Sequence, residues 1–214
     1  MSIDFATLQG LTIPEGVVTQ IEDAAGRVLW SAAVQELISG TMYLRPSADV
    51  SCNHYVNSGS VGYSKINEEV ADDDSTYIAA YDESKAGVVT SVFAMDFDDA
   101  ITPKSITSAK LVVRSKCNDS ITMDGEEMST IYTLSFGGVF SHSATKVEYN
   151  SSYATVEYDL NSVCADLNNY LSANGHLPAI TLTIDSEYPK SVVKSGYSLY
   201  ITQVYLELDG EFIR

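Results

Sequence analysis

The chain has 214 residues, 45% of them apolar, with 12 Lys and Arg against 29 Asp and Glu for a formal net charge of −17. That balance excludes a nucleic-acid surface, which needs a positive stripe to release phosphate counterions, and docking on anionic lipid. No apolar run approaches the roughly 18–20 residues needed to span a bilayer, so no membrane insertion is expected.

The opening MSIDFATLQG has neither a basic region nor an apolar stretch and does not read as a secretory signal, so synthesis in the cytoplasm is expected. Residues 1–39 form a short head. Within it VVTQI (Val17 to Ile21) and RVLW (Arg27 to Trp30) flank EDAAG, which predicts a hairpin with Gly26 as the permissive turn residue. Two short strands cannot close a core of their own, so a partner, another copy or the rest of the chain must hold them, with Trp30 as the natural anchor.

From Gly40 onward the chain is rich in Tyr, Val, Ile, Thr and Ser, in short alternating runs between turn signals. This pattern predicts an all-β sandwich. Strands are expected at 41–45, 61–66, 76–81, 88–97, 106–116, 129–136, 153–160, 179–184 and 197–208. The last alternates through Leu199, Ile201, Val204, Tyr205, Leu206 and Leu208 with one bulge-like slip. In AKLVVRS, Leu111 and Val113 share one face while Lys110, Val112 and Arg114 share the other. One helix breaks the pattern. Val163, Cys164, Leu167, Tyr170 and Leu171 follow helical spacing, with Asp159 or Asn161 to cap the start and Gly175 just past the end. It is expected to cover an edge or an open end of the sandwich.

Cys52, Cys117 and Cys164 are odd in number and form no CxxC pair, so they read as reduced thiols. His54, His142 and His176 are scattered, with surface or turn roles expected, and neither a zinc-protease spacing nor a nucleophile elbow is present. No catalytic residue is assigned. Glu68, Glu69, Asp72, Asp73 and Asp74 crowd one loop and Asp96, Asp98 and Asp99 another. Asp72, Asp73 and Asp74 are the candidate ligands for a structural calcium, against the alternative of a solvated acidic surface. Sugars stack on flat aromatic rings, so Tyr77, Tyr81, Tyr149 and Tyr153 are the candidate glycan contacts, against core or interface packing.

Four segments of the body, in order, resemble one domain family: YLRPSADV (43–50), VFAMDFDDAITP (92–103), SITSAKLVVRS (105–115) and VEYDLNSVCADLNNYLSANGHLPAITL (156–182). Their succession is similar to the DNRLRE-type jelly-roll domain, a carbohydrate-binding-module-like sandwich of cell-surface and phage proteins. The 77–87 insert and the SHSATKVEYNSS connection depart from that pattern. The head segment LTIPEGVVTQIEDAAGRVLW is similar to the short N-terminal modules of virion structural proteins from phages of Gram-positive gut bacteria. By that resemblance Leu11, Ile13, Val17, Ile21, Val28, Leu29 and Trp30 would contact the particle. The implied function is a non-enzymatic virion protein, a tail appendage or a capsid decoration. Its body would be exposed and either decorate the particle or engage host-surface polysaccharide, and homo-oligomers, a trimer in the first instance, would be expected. The alternative is a carbohydrate-binding or adhesion module of a bacterial surface protein; a cell-wall glycosidase ranks third, since its two carboxylates would need a cleft.

Overall fold

The computed structural model describes residues 20–22, 28–31, 37–57, 59–73, 75–81, 87–97, 101–117, 129–147, 151–188 and 198–213. The chain divides into two compact units, Met1–Glu36 and Leu37–Arg214. In the first, β1 (Gln20–Glu22) and β2 (Val28–Ser31) pair antiparallel, with Ile21 opposite Trp30, which is the hairpin expected from the sequence. The second unit begins at Leu37 because the first long strand, β3 (Leu37–Cys52), already pairs with the C-terminal strand there.

The remaining strands are β4 (Tyr55–Val56), β5 (Ile78–Tyr81), β6 (Gly87–Phe97), β7 (Thr102–Cys117), β8 (Ser129–Phe136), β9 (Phe140–Val147), β10 (Ala154–Asp159), β11 (Ile180–Tyr188) and β12 (Ser198–Ile213). One helix, α1 (Cys164–Asn174), lies between β10 and β11. All strand pairs are antiparallel, and the sandwich is of jelly-roll type.

Strand β3 belongs to both layers. Its first half, Leu37–Leu44, pairs with β12, and its second half, Leu44–Cys52, pairs with β6. Register shifts between Pro46 and Ala48 and between Asp49 and Ser51 mark where it bends from one layer into the other, as bulges do at sandwich corners. One layer is therefore β10-β7-β12 with the first half of β3, and the other is the second half of β3 with β6-β11-β8-β9. Past β6 the chain alternates between the layers, except at the β8–β9 hairpin.

The core lies between them. Leu111, Val113, Val204, Leu206 and Leu208 from one layer meet Phe93, Met95, Tyr132, Leu134, Leu182 and Ile184 from the other, all buried. Burial of such side chains supplies most of the driving force, about 1.5–3 kcal/mol each.

The slip expected in β12 is present: the β12–β7 register shifts between Ile201 and Gln203, and Thr202 is the extra residue. Helix α1 covers the edge of β7 beyond the end of β10. Asn168 accepts the Ile106 N–H (2.8 Å) and donates to the Ile106 carbonyl (2.7 Å), closing backbone groups that no strand reaches. Asp159 accepts the Asn161 N–H (2.8 Å), while Asn161 turns to the Ala109 N–H (3.0 Å) and docks the segment rather than capping it. Gly175, at φ 74°, ends the helix by bonding the Leu171 carbonyl.

Two expectations are corrected. Residues 61–66 form no strand; Tyr63–Lys65 is a single 3-10 turn whose entry N–H groups, Gly62 and Tyr63, are both held by the Asp49 carboxylate (2.8 and 2.7 Å). A Cβ on Gly62 would sit 2.5 Å from the Cys52 sulfur, so only glycine lets this turn approach. The Ile66 carbonyl accepts the Val204 N–H (2.8 Å), filling the gap on β12 between β5 and β3. The SHSATKV stretch, expected as a connection, is strand β9; its small polar side chains show too little apolar alternation to reveal it. The three cysteines are free thiols, Cys117 and Cys164 buried. No helix among the described residues is long and apolar enough to cross a membrane.

Candidate functional site

The outer face of the β3-β12-β7-β10 layer carries the chemistry. Alternation along β12 turns Glu211, Asp209, Glu207, Tyr205 and Gln203 outward, and the cross-strand register sets Thr41 and Ser108 beside Asp209, and Tyr43 and Lys110 beside Glu207. The bulge at Thr202 resets the alternation so that Tyr200 points outward again, opposite Lys116.

The segment 67–73 lies across the middle of this face. Gln203, 8% exposed, donates from Nε2 to the Glu68 carbonyl (2.8 Å) and the Glu69 carbonyl (3.2 Å), and Arg45 donates from Nη1 to the Glu68 carbonyl (2.8 Å). At the far end of the segment, Arg114 grips both oxygens of Asp73. This strap splits the face into two halves.

In one half, aromatic rings are covered by cations. Lys116 Nζ sits 4.4 Å from the Tyr153 ring centroid and 5.2 Å from that of Tyr200, Arg114 lies 5.7 Å over Tyr153, and Tyr77 meets Tyr200 edge-on at 4.9 Å. In the other half, Tyr43 and Tyr205 meet edge-on at 5.6 Å, with the Arg45 guanidinium 4.8 Å over Tyr205 and 5.6 Å over Tyr43. Tyr43 is 37% exposed. Beside it Lys110 bridges Glu207 (3.0 Å) and Glu157 (3.4 Å), and its hydrogen bond to Glu207 raises its pKa. Burial, with Glu207 close by, raises the Tyr205 phenol, so it stays neutral.

The residues singled out from the sequence fall as follows. Tyr77, just ahead of β5, and Tyr153 are half-buried at the two ends of the cation-covered ladder. Tyr81 is the last residue of β5, with its side chain outside the described residues, as is all of Tyr149. Asp73 is committed to Arg114, which with its hydrogen bonds holds that carboxyl below the usual range, and Asp72 accepts the Thr76 N–H (2.9 Å) and hydroxyl (2.8 Å). Asp74 lies outside the described residues. Asp72 and Asp73 are thus turned to protein donors, and among the described residues no group of three or more His, Cys, Asp or Glu is placed to hold a metal. Of the head residues, Ile21, Val28, Leu29 and Trp30 lie on the hairpin strands, while Leu11, Ile13 and Val17 lie outside the described residues.

His54 sits in the bend between β3 and β4 but is not a surface residue: it is 4% exposed. Ser91 Oγ accepts the Asn53 N–H (3.0 Å) and His54 N–H (3.2 Å) and lies 2.7 Å from His54 Nδ1 and 3.7 Å from the Cys52 sulfur, while His54 Nε2 lies 3.1 Å from Ser186 Oγ. Burial lowers its pKa to about 4, while burial raises the pKa of the nearby Cys52 thiol. A weakened base beside a reluctant thiol is the reverse of an activated nucleophile. His142 lies on β9, and exposed His176 follows α1, so the three rings sit on separate elements.

Sequence reasoning missed Tyr43, Tyr205 and Asp209 as a group. The available signal was their outward parity, but their adjacency depends on a pairing between the two ends of the chain.

No protein-family model and no curated protein sequence matches the chain. Solved structures similar to it include TmCBM61 in complex with β-1,4-galactotriose (TM-score 0.37, 10% identity, 76% of this chain and 86% of that one). A family 30 carbohydrate-binding module scores 0.40 at 11% identity over 76% and 94%. The CBM36-1 domain of a multidomain xylanase from the hindgut metagenome of Trinervitermes trinervoides scores 0.32 at 12% identity over 80% and 98%. At these scores the likeness is loose, and the reading of the site rests on its own geometry.

Proposed function

We propose that the protein is a non-enzymatic virion structural protein, a tail appendage or capsid decoration, whose N-terminal unit docks on the particle and whose sandwich is displayed and binds a surface glycan. The observation that carries the glycan reading is the Tyr43–Arg45–Tyr205 cluster. A half-exposed ring on a rigid strand, backed by a fixed cation and ringed by Lys110, Glu207 and Asp209, offers a stacking surface with polar groups at its rim. Tyr77 and Tyr153 extend the same face beyond the strap, where cations already lie over the Tyr153 and Tyr200 rings.

The virion part rests on the LTIPEG…VLW resemblance, supported by the pairing of Gln20–Glu22 with Val28–Ser31 inside that segment, within a unit distinct from the sandwich. A glycan-binding module of a bacterial surface protein would use the same tyrosine cluster and differs only in what the N-terminal unit holds.

Two measurements test this. On a glycan array the full chain should bind a restricted set of oligosaccharides and Tyr43→Ala should lose them; an array without a specific signal would overturn the glycan reading. In mass photometry the full chain should self-associate, and an Ile21→Ala/Trp30→Ala variant should be monomeric with an unchanged circular-dichroism spectrum. Monomers in both cases would remove the docking role.

A further inference from the structure

The strap is fastened at both ends to the bulged stretch of β12. The Val204 N–H donates to the Ile66 carbonyl (2.8 Å) where the strap leaves, and Thr202 Oγ1 donates to the Thr76 carbonyl (2.9 Å) where it returns. Between these points Gln203 holds the Glu68 and Glu69 carbonyls, and Arg114 on β7 holds Asp73. Segment 66–76 is therefore a compact loop with neighbouring ends, a ridge seated on β12 and reaching β7 beside Tyr205.

The ridge makes Tyr43 and Tyr205 the inner corner of the open half. Towards the strap, Arg45 lies over both rings and donates to the Glu68 carbonyl (2.8 Å), which links rings to ridge. Across the sheet, Val112 points outward beside Tyr205 yet is 1% exposed, so the face is already covered there. Lys110, next on that face of β7, bridges Glu207 on β12 and Glu157 on β10. The face is open the other way. Tyr43, Thr41 and Ser39, alternate residues of β3, are all exposed, and a hollow of about 570 Å³ extends from Thr41 and Asp209 to Ser39 and Glu211.

We propose that this corner takes the end of a glycan chain rather than an internal stretch, with the strap as its stop, an assignment that rests on the glycan reading above. A chain stacked on Tyr43 runs out along β3 to Ser39, about 13 Å of strand and room for about three sugar rings. In the opposite direction it meets Arg45 and the ridge, and the Tyr77, Tyr153 and Tyr200 rings lie beyond reach. The end of the chain therefore sits against Arg45. A protein built this way grips the tips of a surface polysaccharide instead of lying along it.

The test is calorimetric titration of the full chain with β-1,4-galactan, β-1,4-xylan and pullulan, each as a tetrasaccharide and as an unbranched polymer, with concentrations counted as chains. For a sugar that binds, one chain should be taken per protein copy at both lengths, with affinities equal within about twofold. Replacing 68–74 by Gly-Gly, which the nearby anchors of Ile66 and Thr76 allow, should let the polymer run on and carry several copies per chain. The Asp73→Asn/Gln203→Ala double variant should move the same way and serves if the replacement lowers the melting temperature. Several copies per chain on the wild type would overturn the proposal, as would one copy per chain persisting in a strap variant that melts like the wild type. Several copies per chain, with binding abolished by Tyr43→Ala, would sink the stop and leave the glycan face standing. Failure of all three sugars would also sink it, and the array then decides the glycan reading separately.

Discussion

Arg114 on β7 and Asp73 on the crossing strap form a two-pronged ion pair, Nε to Oδ1 at 2.5 Å and Nη2 to Oδ2 at 2.7 Å. Asp73 sits at φ 55°, a left-handed conformation that Asp tolerates better than most residues. Both side chains are partly exposed, so solvent screens the pair. Asp73→Asn keeps the backbone tolerance and loses the charge. The expected cost is about 0.5–1 kcal/mol, with a similar coupling in the Arg114→Ala double-mutant cycle by urea unfolding. Faster amide exchange in 67–73 should accompany it, and unchanged exchange would show that the strap is held by Gln203 and Arg45 alone.

Asn168 closes both backbone groups of Ile106, at 2.8 and 2.7 Å, beyond the reach of β10. Asn168→Ala leaves a part-buried donor and acceptor to whatever water can enter. A loss of about 1–3 kcal/mol is expected in chemical denaturation, with Asn168→Asp recovering only the bond from the N–H.

Gly210 faces inward on β12 between two register shifts, where a Cβ would collide with the Ser105 carbonyl. That obstacle is backbone. Gly210→Ala should cost about 1–3 kcal/mol or more and lower the melting temperature, whereas Gly40→Ala, with open space at its Cβ, should change stability far less.

His54 makes stability depend on pH. Its folded pKa is about 4 against 6.5 unperturbed, so the unfolded chain takes up the proton first as pH falls. The sandwich therefore loses stability between about pH 6.5 and pH 4, roughly 2 kcal/mol of it by pH 5. Urea midpoints at pH 7.5 and 5.0 should differ less in His54→Gln than in wild type; an equal difference would place the titration elsewhere.

Much of the fold is written in local pattern. The alternation from Leu199 to Leu208, slip included, is the observed β12, and the Val163–Leu171 spacing with Gly175 is the observed helix. Where the pattern misled, long-range contacts decide the local structure. Residues 61–66 look like a strand because Val61 and Ile66 are apolar, but Asp49 binds the N–H groups of Gly62 and Tyr63 and folds the segment into a turn. The tyrosines singled out by spacing, Tyr77 and Tyr153, share an outer face with Tyr43 and Tyr205. Which ring stays exposed depends on where Lys116, Arg114, Arg45 and the strap land, and the local pattern does not encode those placements.

The central claim is that the open half of this face, Tyr43 with Tyr205, binds the glycan. It is tested most directly by titrating one array-identified oligosaccharide against Tyr43→Ala, Tyr205→Ala, Tyr77→Ala and Tyr153→Ala in the full chain. The account predicts at least tenfold weaker binding for Tyr43→Ala, a smaller loss for Tyr205→Ala and near wild-type affinity for the other two. Loss confined to Tyr77→Ala or Tyr153→Ala would contradict it and move the site across the strap.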